Sequence, residues 1–413
     1  MRVSWRSTCL AVLMGLSPGL LGTPALATPS VVALTPLPAA AQRLTAYGGY
    51  VVFSQRSGQD RWSLMAWHDG SVSPLPVPAR AIPFDAEAGP GPAGTPVVVF
   101  SKCARDPRER PGPGPKRPAD VEWQTGFACR IYELSLQGGA PRRVAALRPP
   151  AGASDSTPAI WRGEIAFARY VRSGPPQLLL AGAGMPLRRL GGGPASCPAP
   201  STVPEAPLCA RRQRLGRRRI AGISLGPSAA AYEWVADVPG AVVGPLADPE
   251  IRVDPLRDRR QVAPTKLVAM AFASGACGAE SSVSPNAAGA RVLYLTTRFT
   301  CEPGPERLTS TFHLRLPGRP GTSSGTGGHR LALALASDRG TAYWIGDVPQ
   351  PQPQAEGGAG CPQQSVCSSA APLAEPAGCE AQEGTCTLMR TSGLAVATAA
   401  GAAIPRQRRG GGS

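Results

Sequence analysis

Short apolar runs divided by turn-forming residues recur along this chain about every 55 residues: a strand, a turn, then a second strand running into a Gly-Gly or Asp-Gly step. The pattern is plainest at Gly94-Thr95-Pro96-Val97-Val98-Val99-Phe100-Ser101 and the following Ile131-Tyr132-Glu133-Leu134-Ser135-Leu136-Gln137-Gly138-Gly139. A strand pair of this kind cannot bury its apolar face alone. Repetition at a fixed period therefore predicts a radial array of small sheets rather than one sandwich.

Six units follow from this reading. The first carries Tyr50 to Ser54 and Trp62 to His68, ending at Asp69-Gly70, a hairpin turn. The second is the pair quoted above, interrupted by the Arg- and Pro-rich stretch Ala104 to Asp120. The third runs from Asp155 to Trp161 through Glu164 to Arg169, then Gln177 to Leu180 and Leu187 to Leu190. The fourth takes Ile220 to Leu225, Ala230 to Val235 and Ile251 to Val253. The fifth is assigned Leu267 to Phe272, Arg291 to Thr296 and Thr311 to Leu316, and the sixth Leu331 to Leu335, Thr341 to Ile345 and Thr387 to Arg390. No amphipathic helix is predicted beyond the first 27 residues. Val348 to Gly378, rich in Pro, Gln, Gly and Ala, reads as loop.

The segment Pro158-Ala159-Ile160-Trp161-Arg162-Gly163-Glu164-Ile165-Ala166-Phe167, together with Ile131-Tyr132 through Gly138-Gly139 to Arg142-Arg143-Val144, resembles the TolB-like, WD-repeat-like β-propellers of exported bacterial proteins. The resemblance implies an all-β propeller whose loops and channel mouth engage proteins, peptides or glycans, with no catalytic residues to carry over. Six blades of short antiparallel strands with disulfide-stabilised loops are expected over residues 28–395.

The first 27 residues have Arg2 and Arg6, an apolar stretch from Leu10 to Leu21 and the small-residue ending Ala25-Leu26-Ala27, the form of a secretory signal peptide cleaved near Ala27. Beyond it no apolar stretch is long enough to cross a membrane as a helix, so the remainder is expected in the cell envelope or outside the cell, as a monomer. The Gly- and Arg-rich residues 396–413 are expected to be a disordered tail.

Export decides how the cysteines are read. With Cys9 in the leader, ten remain: Cys103, Cys129, Cys197, Cys209, Cys277, Cys301, Cys361, Cys367, Cys379 and Cys386. An even number in an exported chain points to disulfides, and the simplest proposal is sequential: Cys103–Cys129, Cys197–Cys209 and Cys277–Cys301, with two bridges among the last four. Metal-ligand spacings such as Cys-x2-Cys are absent, so no metal and no cofactor is expected.

The formal charge of +16 raises anionic partners, but all except three of the 43 basic residues are arginine and asparagine occurs once, a skew of the kind GC-rich codons produce. The densest cluster, Arg211, Arg212, Arg214, Arg217, Arg218 and Arg219, lacks the interleaved aromatics that stack on bases, which argues against nucleic acid. It reads as a solvated edge or a contact for an anionic envelope polymer. Trp161, Trp234 and Trp344 sit at strand positions and read as packing, whereas Trp62 and Trp67 alternate less cleanly and are the candidates for exposed binding aromatics.

Gly222-Ile223-Ser224-Leu225-Gly226 matches Gly-x-Ser-x-Gly in letters, yet a nucleophile elbow needs a strand, a sharp turn and a helix, and here the serine lies within a strand pattern followed by Pro227. The expected function is a non-catalytic scaffold binding a protein, a peptide or an envelope polymer. The alternative is a propeller hydrolase or lyase acting on an extracellular polymer. A convergent cluster of buried carboxylates or a Ser/His pair at the channel would favour the enzyme, and an apolar or Arg-rich mouth without perturbed acids would favour binding.

Overall fold

The computed structural model describes residues 30–37, 39, 41–58, 61–104, 128–145, 147–171, 176–182, 184–190, 218–238, 246–256, 265–269, 280–288, 291–300, 307–315, 322–325, 332–347 and 386–392. The first described strand is β1 (Ser30–Leu37). Blade 1 holds β2 (Ala41–Tyr47), β3 (Tyr50–Arg56), β4 (Trp62–His68) and β5 (Ser71–Pro74). Blade 2 holds β6 (Glu87–Pro90), β7 (Pro96–Lys102), β8 (Arg130–Ser135) and β9 (Arg142–Arg143); blade 3 holds β10 (Ser154–Trp161), β11 (Glu164–Tyr170), β12 (Gln177–Ala181) and β13 (Arg188–Arg189). Blade 4 consists of β14 (Arg218–Leu225), β15 (Ala229–Val238), β16 (Leu246–Pro255) and β17 (Thr265–Ala269). Blade 5 consists of β18 (Glu280–Ala288), β19 (Arg291–Thr300), β20 (Arg307–Arg315) and β21 (Thr322–Gly325). Blade 6 takes β22 (Ala332–Asp338), β23 (Thr341–Asp347) and β24 (Cys386–Ser392), and its fourth strand is β1, from the other end of the chain.

These are six four-stranded antiparallel sheets, so the expected all-β, six-bladed propeller is the fold, with no helix among the described residues. Six apolar clusters join neighbouring blades. Val52, Phe84 and Phe100 pack between blades 1 and 2; Val99, Ile160 and Phe167 between 2 and 3; Leu178, Tyr232 and Trp234 between 3 and 4. Ala231, Val253 and Tyr294 fill blades 4 to 5, Leu295, Phe312 and Trp344 blades 5 to 6, and Leu37, Phe53 and Ile345 blades 6 to 1. Second strands such as Val97–Phe100 are covered on both faces, which is why they read as unbroken apolar runs.

The hairpin turns are where the sequence placed them: Asp69-Gly70 and Arg162-Gly163 both take positive φ at both residues, the geometry that matches strand twist. Two assignments need correction. Leu267 to Ala269 belong to blade 4, as β17 paired with β16, because β16 turns back before blade 5 begins at Glu280; Met270 to Phe272 lie outside the described residues. Residues 30–47, given no strand by the repeat, form the closing strand β1 and the innermost strand β2.

Strand alternation gives the disc two unlike faces. Links between first and second or third and fourth strands emerge on one side, here the turn face. Links between second and third strands and between blades all emerge on the other, the loop face. The strand ends that flank 103–129, 190–217, 270–279, 301–306 and 348–385, the segments that hold nine of the ten cysteines, all lie at the loop face. Cys103 and Cys129 form a disulfide there, between the end of β7 and the start of β8. Cys386 opens β24; Cys197, Cys209, Cys277, Cys301, Cys361, Cys367 and Cys379 lie outside the described residues, as do the leader and the tail.

Candidate functional site

The innermost strands line a central channel, and five of them carry a register break: between Gln42 and Thr45, Ser156 and Ala159, Ile220 and Gly222, Val283 and Asn286, and Ala332 and Ala334. A bulge lets one strand turn a side chain away from the regular pleat. Arg43 and Thr157, inside two of these breaks, have positive φ (58° and 49°), an uncommon backbone state for residues other than glycine. Most of the breaks sit toward the loop-face ends of their strands.

Beside them lies a cavity of about 60 Å³, room for a few waters, to which all six blades contribute. Its polar wall comprises Arg43 of β2, Asp85 and Glu87 at the entrance to β6, Thr157 of β10, Glu233 of β15 and Asn286 of β18. Glu233 is the register partner of Gly222, which has no side chain to stand in its way.

Hydrogen bonds around this ring tie each blade to the next. Ala88 N–H donates to Thr45 Oγ1 (2.8 Å), Thr157 N–H to Asp85 Oδ2 (2.7 Å) and Thr157 Oγ1 to the Ile220 carbonyl (3.4 Å). Ala287 N–H donates to Ser224 Oγ (3.0 Å), Asn286 Nδ2 to the Leu335 carbonyl (3.0 Å) and, at the turn face, Gly49 N–H to Asp338 Oδ2 (2.9 Å). Arg43 reaches across the channel and donates from Nη1 to the Ala221 carbonyl of the opposite blade.

The two carboxyls at the entrance to β6 behave in opposite ways. Burial alone would raise Asp85, but the Arg80 guanidinium beside it and hydrogen bonds from Ser101 and Thr157 outweigh that and hold it below its ordinary value. Arg80 Nη2 lies 3.3 Å from Asp85 Oδ1. Glu87 is pushed up to about 8 by burial, only partly opposed by hydrogen bonds from the Ser224 and Thr45 hydroxyls. No ion pair to Glu87 occurs among the described residues.

A second polar cluster lies between blades 3 and 4. Arg252 sits over the Trp234 ring (5.4 Å to its centroid), and Asp254 is raised to about 6 by burial against the opposing effects of Tyr232, Arg252 and Arg188. Asp254 Oδ2 is buried without a hydrogen-bond partner.

Trp344, Trp234 and Trp161 pack between blades. Trp67 is half-buried against the blade 1 to 6 cluster, 6.3 Å from Tyr343, rather than standing open at a rim, and its Nε1 is buried without a partner. Trp62, also half-buried, pairs through its backbone with Arg80. Arg218 and Arg219 fall on β14, while Arg211, Arg212 and Arg217 lie outside the described residues. Ser224 is a buried strand residue accepting a backbone hydrogen bond, not the apex of a strand-to-helix turn. Among the described residues no set of three or more His, Cys, Asp or Glu is arranged for a metal, and no helix is long and apolar enough to cross a membrane.

The channel residues Arg43, Asp85, Glu87 and Glu233 were not legible as a site. The available signal was the alternation Phe84, Ala86, Ala88 against Asp85 and Glu87, which puts the first three in the blade 1 to 2 core and the carboxyls on the channel wall.

No protein-family model matches the chain, and no curated protein does. Solved structures similar to it include the β-propeller domain of the Trilobed protease from Pyrococcus furiosus (9% identity, 75% of this chain and 79% of that one, TM-score 0.34). TolB from Acinetobacter baumannii (12%, 69% and 56%, 0.31) and the Bombyx mori GH32 β-fructofuranosidase (12%, 88% and 62%, 0.30) are others. No role is carried over from them.

Proposed function

We propose that this chain is an exported, non-catalytic binding module of TolB-like type whose loop face is its recognition surface. The observation that carries this reading is the one-sidedness of the disc: the strand ends flanking the segments that hold nine of the ten cysteines, including the long segments 103–129, 190–217 and 348–385, all lie on the loop face. Loops held on a rigid frame supply variable side chains for recognition, and a disulfide at the base of one of them limits the entropy lost on binding. The TolB-like part of the reading rests on the motifs of blades 2 and 3.

The enzymatic reading draws on the opposite behaviour of Asp85 and Glu87, since carboxyls driven apart in this way can divide acid and base roles. The carboxyls Asp85, Glu87 and Glu233 converge at the channel, which is the arrangement expected of the enzyme, but the space between them is only about 60 Å³ and Arg43 crosses it, and this small volume is what favours the binding reading.

The test is affinity capture from a native envelope extract with residues 28–413, bridges intact, washed at low and then high salt. A discrete partner retained through both washes supports a recognition module. A diffuse set lost at high salt would assign the retention to arginine charge and overturn it.

A further inference from the structure

The wall of the channel cavity includes residues near the loop-face ends of the innermost strands, and it is uneven in charge. Asp85 is matched by Arg80, and Arg43 donates across the channel to the Ala221 carbonyl. Glu87 is the exception. It stands in the cavity wall held by two neutral hydroxyls, one from blade 1 and one from blade 4, with no cation paired to it among the described residues. Both hydroxyls already accept a backbone N–H, Thr45 from Ala88 and Ser224 from Ala287, which leaves each O–H free to donate to the Glu87 carboxyl and fixes it in place. A carboxyl so positioned lacks only a counter-charge.

We propose that the cavity receives one primary ammonium group, a lysine side chain or amino terminus of a polypeptide partner, with Glu87 as its counter-ion. The proposal rests on the binding reading above and names the chemistry of its partner. Size agrees, because space for a few waters admits an ammonium and the methylenes behind it but not a sugar ring. Charge agrees as well: three carboxyls, Asp85, Glu87 and Glu233, line the cavity with one guanidinium, Arg43, so once Glu87 is ionised the wall suits a cation better than an anion. A hard divalent ion is not favoured, because among the described residues no set of three or more His, Cys, Asp or Glu is arranged to hold one.

Proton linkage makes the site measurable. The groups facing Glu87 are Asp85 beside it, Arg43 from β2 and Glu233 from β15, while the remaining neighbours, Thr45, Thr157, Ser224 and Asn286, are neutral. At pH 7 Glu87 is mostly protonated, and an ammonium that binds its carboxylate expels that proton to solvent. The lysine ammonium stays charged throughout, since its own pKa is about 10.4.

The experiment titrates residues 28–413 with Nα-acetyl-lysine methylamide from pH 6 to 9 by calorimetry in buffers of different ionisation enthalpy, with the Nε-acetylated analogue as the uncharged control. Expected are saturable binding of the lysine derivative alone, affinity rising about tenfold per pH unit and levelling near pH 8, and release of close to one proton at pH 7. Glu87→Gln, verified as folded by its melting transition, should bind at least tenfold more weakly with no pH slope. No saturable binding at pH 8.5, a flat profile in the unmodified protein, or equal binding by Glu87→Gln would each overturn the proposal. A partner captured equally by both proteins, with no lysine binding, leaves the recognition module standing and removes the ammonium site. Glu87-dependent lysine binding without any captured partner does the reverse.

Discussion

Arg169 holds Asp155 by two parallel hydrogen bonds, Nε to Oδ1 at 2.7 Å and Nη2 to Oδ2 at 2.8 Å, between register partners on β10 and β11 that are almost sealed from solvent. The pair fixes the innermost strand of blade 3 to its neighbour one residue from the break that aims Thr157 at the channel. Removing one member strands a buried charge, so Arg169→Met or Asp155→Asn should each cost about 3–5 kcal/mol, and Asp155→Leu with Arg169→Met should recover most of it. Urea unfolding of the three variants checks this. Single and double replacements of equal cost would mean the pair acts by packing alone.

Glu87 ties stability to pH. Its carboxyl rises from 4.5 to about 8 on folding, so the folded state holds a proton that the unfolded state has lost, and stability falls as pH climbs through that window. Glu87→Gln lacks this dependence. Relative to the unmodified protein, the variant should gain roughly 1.4 kcal/mol per pH unit across the window and nothing further above pH 8. Asp254, raised to about 6, adds a similar decline at lower pH in both proteins and cancels in the comparison. Melting curves at pH 5, 7 and 9 decide, and a constant difference would refute the argument.

How much of this was written in the chain depends on where each strand sits in its blade. The second strands, such as Val97–Phe100 and Glu164–Tyr170, lie between two neighbouring blades and must be apolar on both faces, so they announced themselves. The innermost strands have one face toward the channel and are broken by bulges, which destroys the period-2 pattern. Asp155 to Trp161, Ile220 to Leu225 and Leu331 to Leu335 were apolar enough to read as strands all the same, but Ala41–Tyr47, and with it the channel site, passed without notice, as did the outermost strand Ser30–Leu37, which has no counterpart in the repeat. Closure by β1 is also a relation between residues more than 350 positions apart, as Ser30 and Ser392 are, which no local pattern records. The Cys103–Cys129 bridge was legible because both residues flank one insertion between adjacent strands.

At Gly89 two innermost strands, β6 and β10, approach backbone to backbone. A Cβ there would lie 2.2 Å from the carbonyl oxygen of Ile160 on blade 3, and the obstruction is backbone that cannot swing aside. Gly89→Ala should therefore force blades 2 and 3 apart and cost at least 1–3 kcal/mol by the usual range for overpacking. Denaturation would reveal it, and an unaltered midpoint would show that the strands have slack.

The Cys103–Cys129 disulfide closes a loop with a sequence separation of 26, and its loss should lower stability by about 2–4 kcal/mol. Cys103→Ser with Cys129→Ser, compared with the parent under non-reducing conditions, measures it. Peptide mapping of the unreduced protein tests the expected Cys197–Cys209 and Cys277–Cys301 bridges. Recovery of other partners for these four would replace the sequential scheme.

The ring is shut by β1, which pairs with β24 through seven register partners from Ser30–Ser392 to Leu37–Cys386 and buries Leu37 in the blade 6 to 1 cluster. Without it β24 becomes an edge strand, with backbone groups open to any other chain. Leu37→Ala should cost about 2–5 kcal/mol, as for other fully buried leucines. Deleting residues 30–37 should go further. Blade 6 would lose its outer strand, amides of β24 would exchange with solvent faster than those of β11, and the protein should self-associate through the exposed edge. Hydrogen exchange and light scattering on the shortened protein are the measurements. A monomer with β24 still protected would mean that the interblade apolar clusters alone hold the ring closed.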